Sequence, residues 1–435
     1  MPAAEQHSIG LRVWSVDSPY RLEALLALLK DIVFLSGKRT PFGTYLGALA
    51  SVDANTLGVH ASNAALAQAN VKPEDVDHVI FGNVMQTQAD AIYCARHVGL
   101  KCGIPEEVGA VTVNRLCGSG FESLIQAAQR LQLGENNIIL AGGTESMSQT
   151  PHSVRGIRGE VRLFQGADAG EPLPAKMNDY LGECLFDTMA GIPMALTAEN
   201  LAVRYEISRD DADEYGFRSQ SAWVTAQQAG HYDAEMAPIT VGDNVIDIDE
   251  HPQLSPLQPE KRRSRFSRER MGELPAVFKK NGTVTAANAS GINDGAAAMV
   301  MTTMDVAEAR GQAPIGRLLG YGVAGVDPKH MGIGPAPAIL QALAHAGLTL
   351  QDMDLIEVNE AFASQYLAVE KELNLPREIT NVNSGGIAVG HPLAASGTRI
   401  TAHLLYELKR RGARYGVGSA CIGGGQGIAV VVEAL

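Results

Sequence analysis

Three stretches of the sequence each set a reactive side chain on a glycine-rich turn. Val113-Asn114-Arg115-Leu116-Cys117-Gly118-Ser119-Gly120 runs into a helical pattern, Phe121 to Leu133, and then an apolar strand, Ile138 to Gly142. Cys117 therefore falls where a strand hands over to a helix. There the free N–H groups of the first turn and the positive end of the helix dipole favour a thiolate over a thiol. Gly118 and Gly120 leave the sulfur uncovered. A lone cysteine is ordinarily a buried packing residue, but two glycines at a helix start point to a nucleophile. Gly390-His391-Pro392 follows Asn383-Ser384-Gly385-Gly386 and precedes Ser396-Gly397, which puts His391 at a turn entering a helix, its ring toward an open pocket. Cys421-Ile422-Gly423-Gly424-Gly425-Gln426-Gly427 sets a second thiol beside bare backbone amides. A nucleotide-binding glycine loop is the competing reading and fails in detail: Gly118 and Gly120 lack a third glycine at Ser123, and no GxxxxGK[ST] occurs.

Composition limits what such groups could serve. A chain of 435 residues exceeds one small core and divides into two or three domains or subdomains. Hydrophobic residues make up 46% and charged ones 19%, with no apolar run long enough to span a bilayer. The formal charge of −13 argues against nucleic acid as a partner, though a local basic patch could still take an anionic ligand. Five cysteines without a CxxC pair suit a reducing compartment and offer no zinc site, so no metal is expected.

The elements that must hold these turns can be read in order. Residues 1–30 lack the marks of a secretory signal and read as an appendage. The core's first strand is expected at Asp31 to Leu35, followed by a helix over Thr56 to Ala69, a strand over Val79 to Gly82 and a helix near Ala91 to Leu100. This alternation predicts an α/β sheet of parallel strands with helices on its faces. From about 150 to 280 the grammar changes to an inserted lid, with helices over Thr197 to Tyr205 and Ser208 to Ala229, the latter capped by Ser208 with Asp211. A strand over Ala296 to Thr302 reopens the alternating pattern. The shapes of Ile138 to Met147 and Gly416 to Gly427 hint at an internal duplication. The expected units are 31–300, including the lid, and 301–435.

The chain resembles the thiolases, coenzyme A-dependent acyltransferases, from about Asp31 to the C-terminus. The carriers are Asn114 to Gly120, Gly282-Thr283-Val284-Thr285-Ala286-Ala287-Asn288-Ala289-Ser290-Gly291, Asn359-Glu360-Ala361-Phe362, Gly390-His391-Pro392 and Cys421 to Gly425, in the family's order. The resemblance implies a five-layered α/β/α/β/α fold of two similar halves with a lid in the first, and homodimers, often paired into tetramers. It implies a soluble enzyme, cytoplasmic or mitochondrial, that cleaves 3-ketoacyl-CoA with coenzyme A; the acetoacetyl-CoA enzymes are the next nearest subgroup. No permanently bound cofactor is implied, and coenzyme A and acyl-CoA enter as substrates. A ketoacyl synthase shares the fold but pairs its cysteine with two histidines, and here Cys421 holds the second position.

Residue by residue, the resemblance makes Cys117 the nucleophile and His391 its base. The backbone N–H groups of Cys117 and Gly423 receive the oxyanion, Asn359 holds a water at the enolate, Cys421 donates the proton and Glu360 orients its neighbours. A base is needed because a helix start contributes only about 0.3–1 kcal/mol toward the thiolate. Coenzyme A contacts carry over to Ser290, Ala286 and Gly291, to Met194 at the mouth, and to Ala361 and Phe362 at the thioester end. Two positions depart from the family pattern: Ser384 stands where glycine is commoner, and Ala394-Ala395 replaces a glycine-containing pair. Gln253 stands near where relatives offer the nucleotide phosphate an arginine. The basic run from Lys261 to Arg270, with Arg262 and Arg263, is either a solvated loop or the replacement for that arginine.

Overall fold

Strand residues of the core alternate between two destinations, and that alternation builds the layers. In the computed structural model, which describes residues 31–155, 177–264 and 266–435, the first strand, β1 (Ile32–Arg39), sends Ile32 and Phe34 one way and Val33 and Leu35 the other. Side chains that bury both faces of every strand need helices on both sides.

The remaining strands of the main sheet are β2 (Gly43–Thr44), β3 (His78–Gly82), β4 (Gly109–Val113), β5 (Ile138–Ser146), β6 (Asn293–Thr303), β7 (Gly316–Gly325), β8 (Leu355–Val358), β9 (Tyr415–Ile422) and β10 (Gln426–Ala434). Their order is β8-β9-β10-β7-β1-β6-β5-β3-β4, with β2 paired to β6. The principal helices are α1 (Ala54–Ala69), α2 (Cys94–Lys101), α3 (Ser119–Leu133), α4 (Met194–Arg204), α5 (Arg209–Gln228), α6 (Pro335–Ala346), α7 (Ala363–Leu373) and α8 (Leu393–Arg411).

The halves repeat one plan about the β1–β7 seam. In each, a central helix leads into a strand, α3 into β5 and α8 into β9. That strand lies parallel to one neighbour, β3 or β8, and antiparallel to the other, β6 or β10. The expected duplication is thus present in the topology. The expected parallel strands are found at β3–β4, β3–β5 and β8–β9, whereas β1, β6, β7 and β10 pair antiparallel throughout. The strand pairs β5–β6 and β9–β10 are joined by an insertion or a tight turn, with no crossover helix to force parallel pairing.

Five layers follow. α1 and α2 cover the first half through Leu57, Ala61 and Val98, while α6 and α7 cover the second through Ile339, Ala342 and Tyr366. Between the halves lie α3 and α8, with Phe121, Leu124, Ile400 and Leu404 packed on Ile32, Phe34, Val430 and Val432. The two central helices approach within backbone contact. A Cβ on Gly120 would stand 2.6 Å from the Ala394 carbonyl, and one on Gly397 would stand 2.3 Å from the Phe121 nitrogen. Gly120 therefore serves this crossing; uncovering the sulfur, its expected duty, is not what its position provides.

Predicted element positions match within a few residues, and α5 carries the anticipated Ser208–Asp211 capping box. From the insertion, Leu201 of α4 and Tyr215 of α5 pack into the outer layer of the second half. Residues 1–30 lie outside the described residues, as do Arg265 and the side chain of Arg262.

Candidate active site

The reactive groups gather at the carboxyl ends of strands and the amino ends of the central helices, where an α/β sheet leaves a crevice. Cys117 follows β4 and precedes α3, Asn359 follows β8, Cys421 is the penultimate residue of β9, and His391 enters α8. A strained turn projects Cys117. Leu116 holds φ 48°, in the left-handed region that a branched side chain seldom adopts. Asn114 Oδ1 accepts the Leu116 N–H at 3.0 Å, and Ser119 Oγ accepts the Arg115 N–H at 2.8 Å while donating to the Leu116 carbonyl at 2.7 Å.

Cys117 is partly exposed, and the backbone N–H groups of Gly423 and of Cys117 itself bear on its thiol. Those two donors pull the thiol's pKa down, but burial dominates and pushes it up to about 12. The weak pull of a helix start is thus outweighed by desolvation, and the thiol needs the base that the sequence reading called for. Cys421 is fully buried, and its thiol is pushed up by burial and by its nearness to Cys117. Met331 and Ala361 pack on it, with Met194 and Phe362 alongside.

His391 is locked in one tautomer. Ser396 Oγ donates to the Pro392 carbonyl at 2.8 Å, so it accepts from His391 Nδ1–H at 2.6 Å. Nε2 therefore carries the lone pair, and Asn359 Nδ2 lies 3.3 Å from it. Burial, helped by the charge of Arg399, lowers the imidazole to about 3. The resting pair is a neutral thiol and a neutral base. The buried Asn359 Oδ1 has no hydrogen-bond partner among the described residues.

Glu360 is buried and accepts four hydrogen bonds: from Tyr215 Oη at 2.7 Å, Ser219 Oγ at 2.6 Å, Asn381 Nδ2 at 3.0 Å and the Ile387 N–H at 3.2 Å. Two of these donors come from the insertion helix α5, and Ser219 also lies 3.2 Å from Ser384 Oγ. Ser384 itself holds φ 94°. A serine there is strained by about 1–3 kcal/mol. Ser384→Gly is therefore expected to raise the Tm by roughly 1–3 °C, with kcat within about twofold; a lower Tm by calorimetry would show that the bond to Ser219 outweighs the strain.

A cavity of about 480 Å³ is lined by Gln253, Lys261, Phe266, Arg270, Met271 and Ala286, among others. From Ala286 the chain continues to a bridge between Ala289 and Phe362, and Ser290 gives both its N–H and its hydroxyl to the Ala361 carbonyl, at 2.9 and 3.0 Å. Gly291 presses on the His251 ring, where a Cβ would collide at 2.1 Å. The basic run divides. Arg263 Nε donates to the Gln258 carbonyl, Arg268 pairs with Asp210 and Glu214, and Arg270, which pairs with Glu273, lines the cavity together with Lys261.

The amino-terminal thiolase domain model matches residues 32–305 and the carboxy-terminal one residues 312–434. The chain belongs to the thiolase family. Mitochondrial 3-ketoacyl-CoA thiolase of Bos taurus is 52% identical over 94% of this chain and 99% of its own. The acetyl-CoA acetyltransferase of Syntrophomonas wolfei is 41% identical over 94% and 100%. The crystal structure of human mitochondrial 3-ketoacyl-CoA thiolase in complex with CoA superposes with a TM-score of 0.87 at 51% identity, covering 94% of this thiolase and 99% of that chain.

Among the described residues of this thiolase, no helix is long and apolar enough to cross a membrane. Sequence reasoning overlooked one buried group of the site, Glu145. A carboxylate near the end of β5, a strand with no other charge, was the available signal.

Proposed function

We propose that this thiolase cleaves 3-ketoacyl-CoA with coenzyme A, releasing acetyl-CoA and a shortened acyl-CoA through an acyl group carried on Cys117. The observation that carries this reading is that two neighbouring thiols and one imidazole with its lone pair on Nε2 stand at the same end of the sheet, with the Gly423 N–H bearing on the Cys117 thiol.

The Cys117 proton passes to His391 Nε2 as sulfur attacks the 3-keto carbon, and the oxyanion is received by the N–H groups of Cys117 and Gly423. The C2–C3 bond then breaks. Its electron pair forms the acetyl-CoA enolate, held by protonated His391 and by a water on the free Asn359 Oδ1, an acceptor of the right polarity to leave that water's second proton for the enolate. Cys421 protonates C2 and becomes a thiolate. It next takes the proton of a second coenzyme A, whose sulfur removes the acyl group, and Cys117 recovers its proton from His391. Every proton and electron pair is accounted for by these groups and the two substrates, so the proposal contains no resident cofactor. Run backward, the steps join acetyl-CoA to an acyl-CoA, which is a second acetyl-CoA in the shortest case; the higher identity to the 3-ketoacyl-CoA thiolases favours the cleavage direction.

Glu360 would set Asn359 through its buried hydrogen bonds. Ser290, Ala286 and Gly291 would face the pantetheine arm, with Met194, Ala361 and Phe362 at the thioester. We propose a homodimer, single or paired into a tetramer; β4, an edge strand of the sheet, offers a pairing edge that supports it. A cytoplasmic location is proposed, with the mitochondrion as the alternative raised by the mammalian relatives.

Steady-state thiolysis of 3-ketoacyl-CoA of increasing chain length, beginning with acetoacetyl-CoA, tests the reading. No coenzyme A-dependent cleavage at any length would refute it. For the nucleotide end, Lys261 and Arg270 line the cavity, while of the arginines expected from sequence Arg263 donates to the Gln258 carbonyl and the Arg262 side chain lies outside the described residues. Changing both to glutamine is expected to raise the KM for coenzyme A roughly three- to tenfold with kcat unchanged, since each exposed contact is worth about 1 kcal/mol or less. The effect should fade with salt, exposed charges being screened over about 10 Å at 0.1 M. An unchanged KM at low ionic strength would assign the run to ordinary surface.

A further inference from the structure

Glu145, the penultimate residue of β5, has no exposed surface and, among the described residues, takes no cation as a hydrogen-bond or ion-pair partner. Its four donors are N–H groups from two directions. Oε1 accepts from the Met85 N–H at 3.0 Å and from Asn83 Nδ2 at 3.4 Å; Oε2 accepts from the Val84 and Ala394 N–H groups, both at 3.2 Å. The first three belong to the loop after β3, and Asn114 Nδ2, in the nucleophile turn, donates to the Val84 carbonyl of that loop at 3.1 Å. Ala394 belongs to the first turn of α8, three residues beyond His391. One carboxylate therefore joins the support of Cys117, in the first half, to the support of His391, in the second. The contact is close, since a Cβ on neighbouring Gly143 would stand 1.8 Å from the Ala394 carbonyl.

The same carboxylate bears on the thiol electrostatically. Its negative charge raises the Cys117 pKa. Burial pushes Glu145 itself up to about 7, against the pull of the Met85, Ala394 and Val84 N–H groups and with the charge of Asp294 adding to the rise. The ionisable groups that face it are Asp294 from β6, Cys94 from α2, Cys184 from the short helix Tyr180–Cys184, and Cys117; none of these is a cation.

We propose that Glu145 is a positioning residue for the thiolysis described above: its carboxylate clamps the nucleophile turn to the helix of the base, and its charge keeps the proton on Cys117 until His391 takes it. The inference rests on that reading of the reaction but is tested apart from it. Glu145→Gln removes the charge and turns an amide toward N–H donors, whereas Glu145→Asp keeps the charge and shortens the reach.

The rate of iodoacetamide alkylation at Cys117, followed on its own peptide by mass spectrometry against pH, reads the charge. In Glu145→Gln its midpoint is expected to move down by roughly half to one pH unit, as removal of a neighbouring like charge requires. In Glu145→Asp it should stay near that of the parent. Rapid-mixing acylation by acetoacetyl-CoA reads the clamp, and both variants should lose roughly ten- to a hundredfold in kcat with the KM for coenzyme A held, because misplaced reacting groups cost rate rather than binding. An alkylation midpoint in Glu145→Gln that is unmoved or higher overturns the proposal, as does an acylation rate within about twofold of the parent. Either result leaves the thiolase reading standing, because that reading fails only if the unsubstituted enzyme does not cleave.

Discussion

Thiolysis should fall by about four to six orders of magnitude when Cys117 becomes alanine, the scale on which removal of a covalent nucleophile is felt. The fold should remain, because Cys117 is partly exposed and its turn is held by Asn114 and Ser119 rather than by its sulfur. Cys421→Ser separates the two thiols. An alcohol is a far weaker acid, so protonation of the enolate should slow by about two to four orders of magnitude, while Cys117 still accumulates some acyl group. Mass spectrometry of enzyme quenched with 3-ketoacyl-CoA decides the matter. An adduct on Cys94, Cys102, Cys184 or Cys421 in the unsubstituted enzyme, or turnover by Cys117→Ala above about one part in a thousand, would remove Cys117 from the role.

What the sequence made legible was local. The positions of Cys117 and His391 at helix starts and of Cys421 before a strand-to-strand turn came from glycine spacing and hydrophobic period, and the structure sets them at one end of the sheet. Their ionisation was not legible. A helix start favours a thiolate only weakly, burial raises the Cys117 thiol well beyond that pull, and no pattern in the chain reports the extent of that desolvation. Long-range partners were hidden for the same reason. Glu360 draws hydrogen bonds from Tyr215 and Ser219, 145 and 141 residues earlier in the chain, and Glu145 reaches Ala394 across 249. Gly120 was misread because a helix–helix crossing and an uncovered sulfur call for the same residue. The basic run reads as a charge cluster, but which of its members line the cavity was not legible, since Arg263 is drawn to Gln258, Arg268 to Asp210 and Glu214, and Arg270 to Glu273.

The largest expected loss of stability lies away from the chemistry, at Arg39. Its guanidinium is 1% exposed and pairs with Glu235 through Nε at 2.6 Å and with Asp249 through Nη1 and Nη2 at 2.6 and 3.0 Å. Phe42 and Tyr232 stack on it at 5.1 and 5.5 Å, and His403 of α8 donates to the other oxygen of Glu235 at 2.7 Å. One cation thus ties β1, the insertion and the central helix of the second half together. Arg39→Met leaves two buried carboxylates short of a partner, a change that costs about 3–5 kcal/mol. In a chain of this size that is roughly 4–6 °C of Tm. Lysine should not restore it, having no planar fork to meet Asp249 from two nitrogens. The pH dependence has a definite sign. Burial pushes Glu235 up, but His403 and Arg39 more than offset it and bring the carboxyl down to about 2. Its stabilising contribution is therefore complete above the unfolded value near 4.5 and is lost as pH falls toward 2. Without Arg39 the folded value rises, and acid unfolding should begin at higher pH than in the parent. Glu235→Gln added to Arg39→Met should recover part of the lost Tm by removing one stranded charge. Calorimetry across pH measures both effects, and an Arg39→Met Tm within 1 °C of the parent at neutral pH would show that the network contributes nothing net to stability.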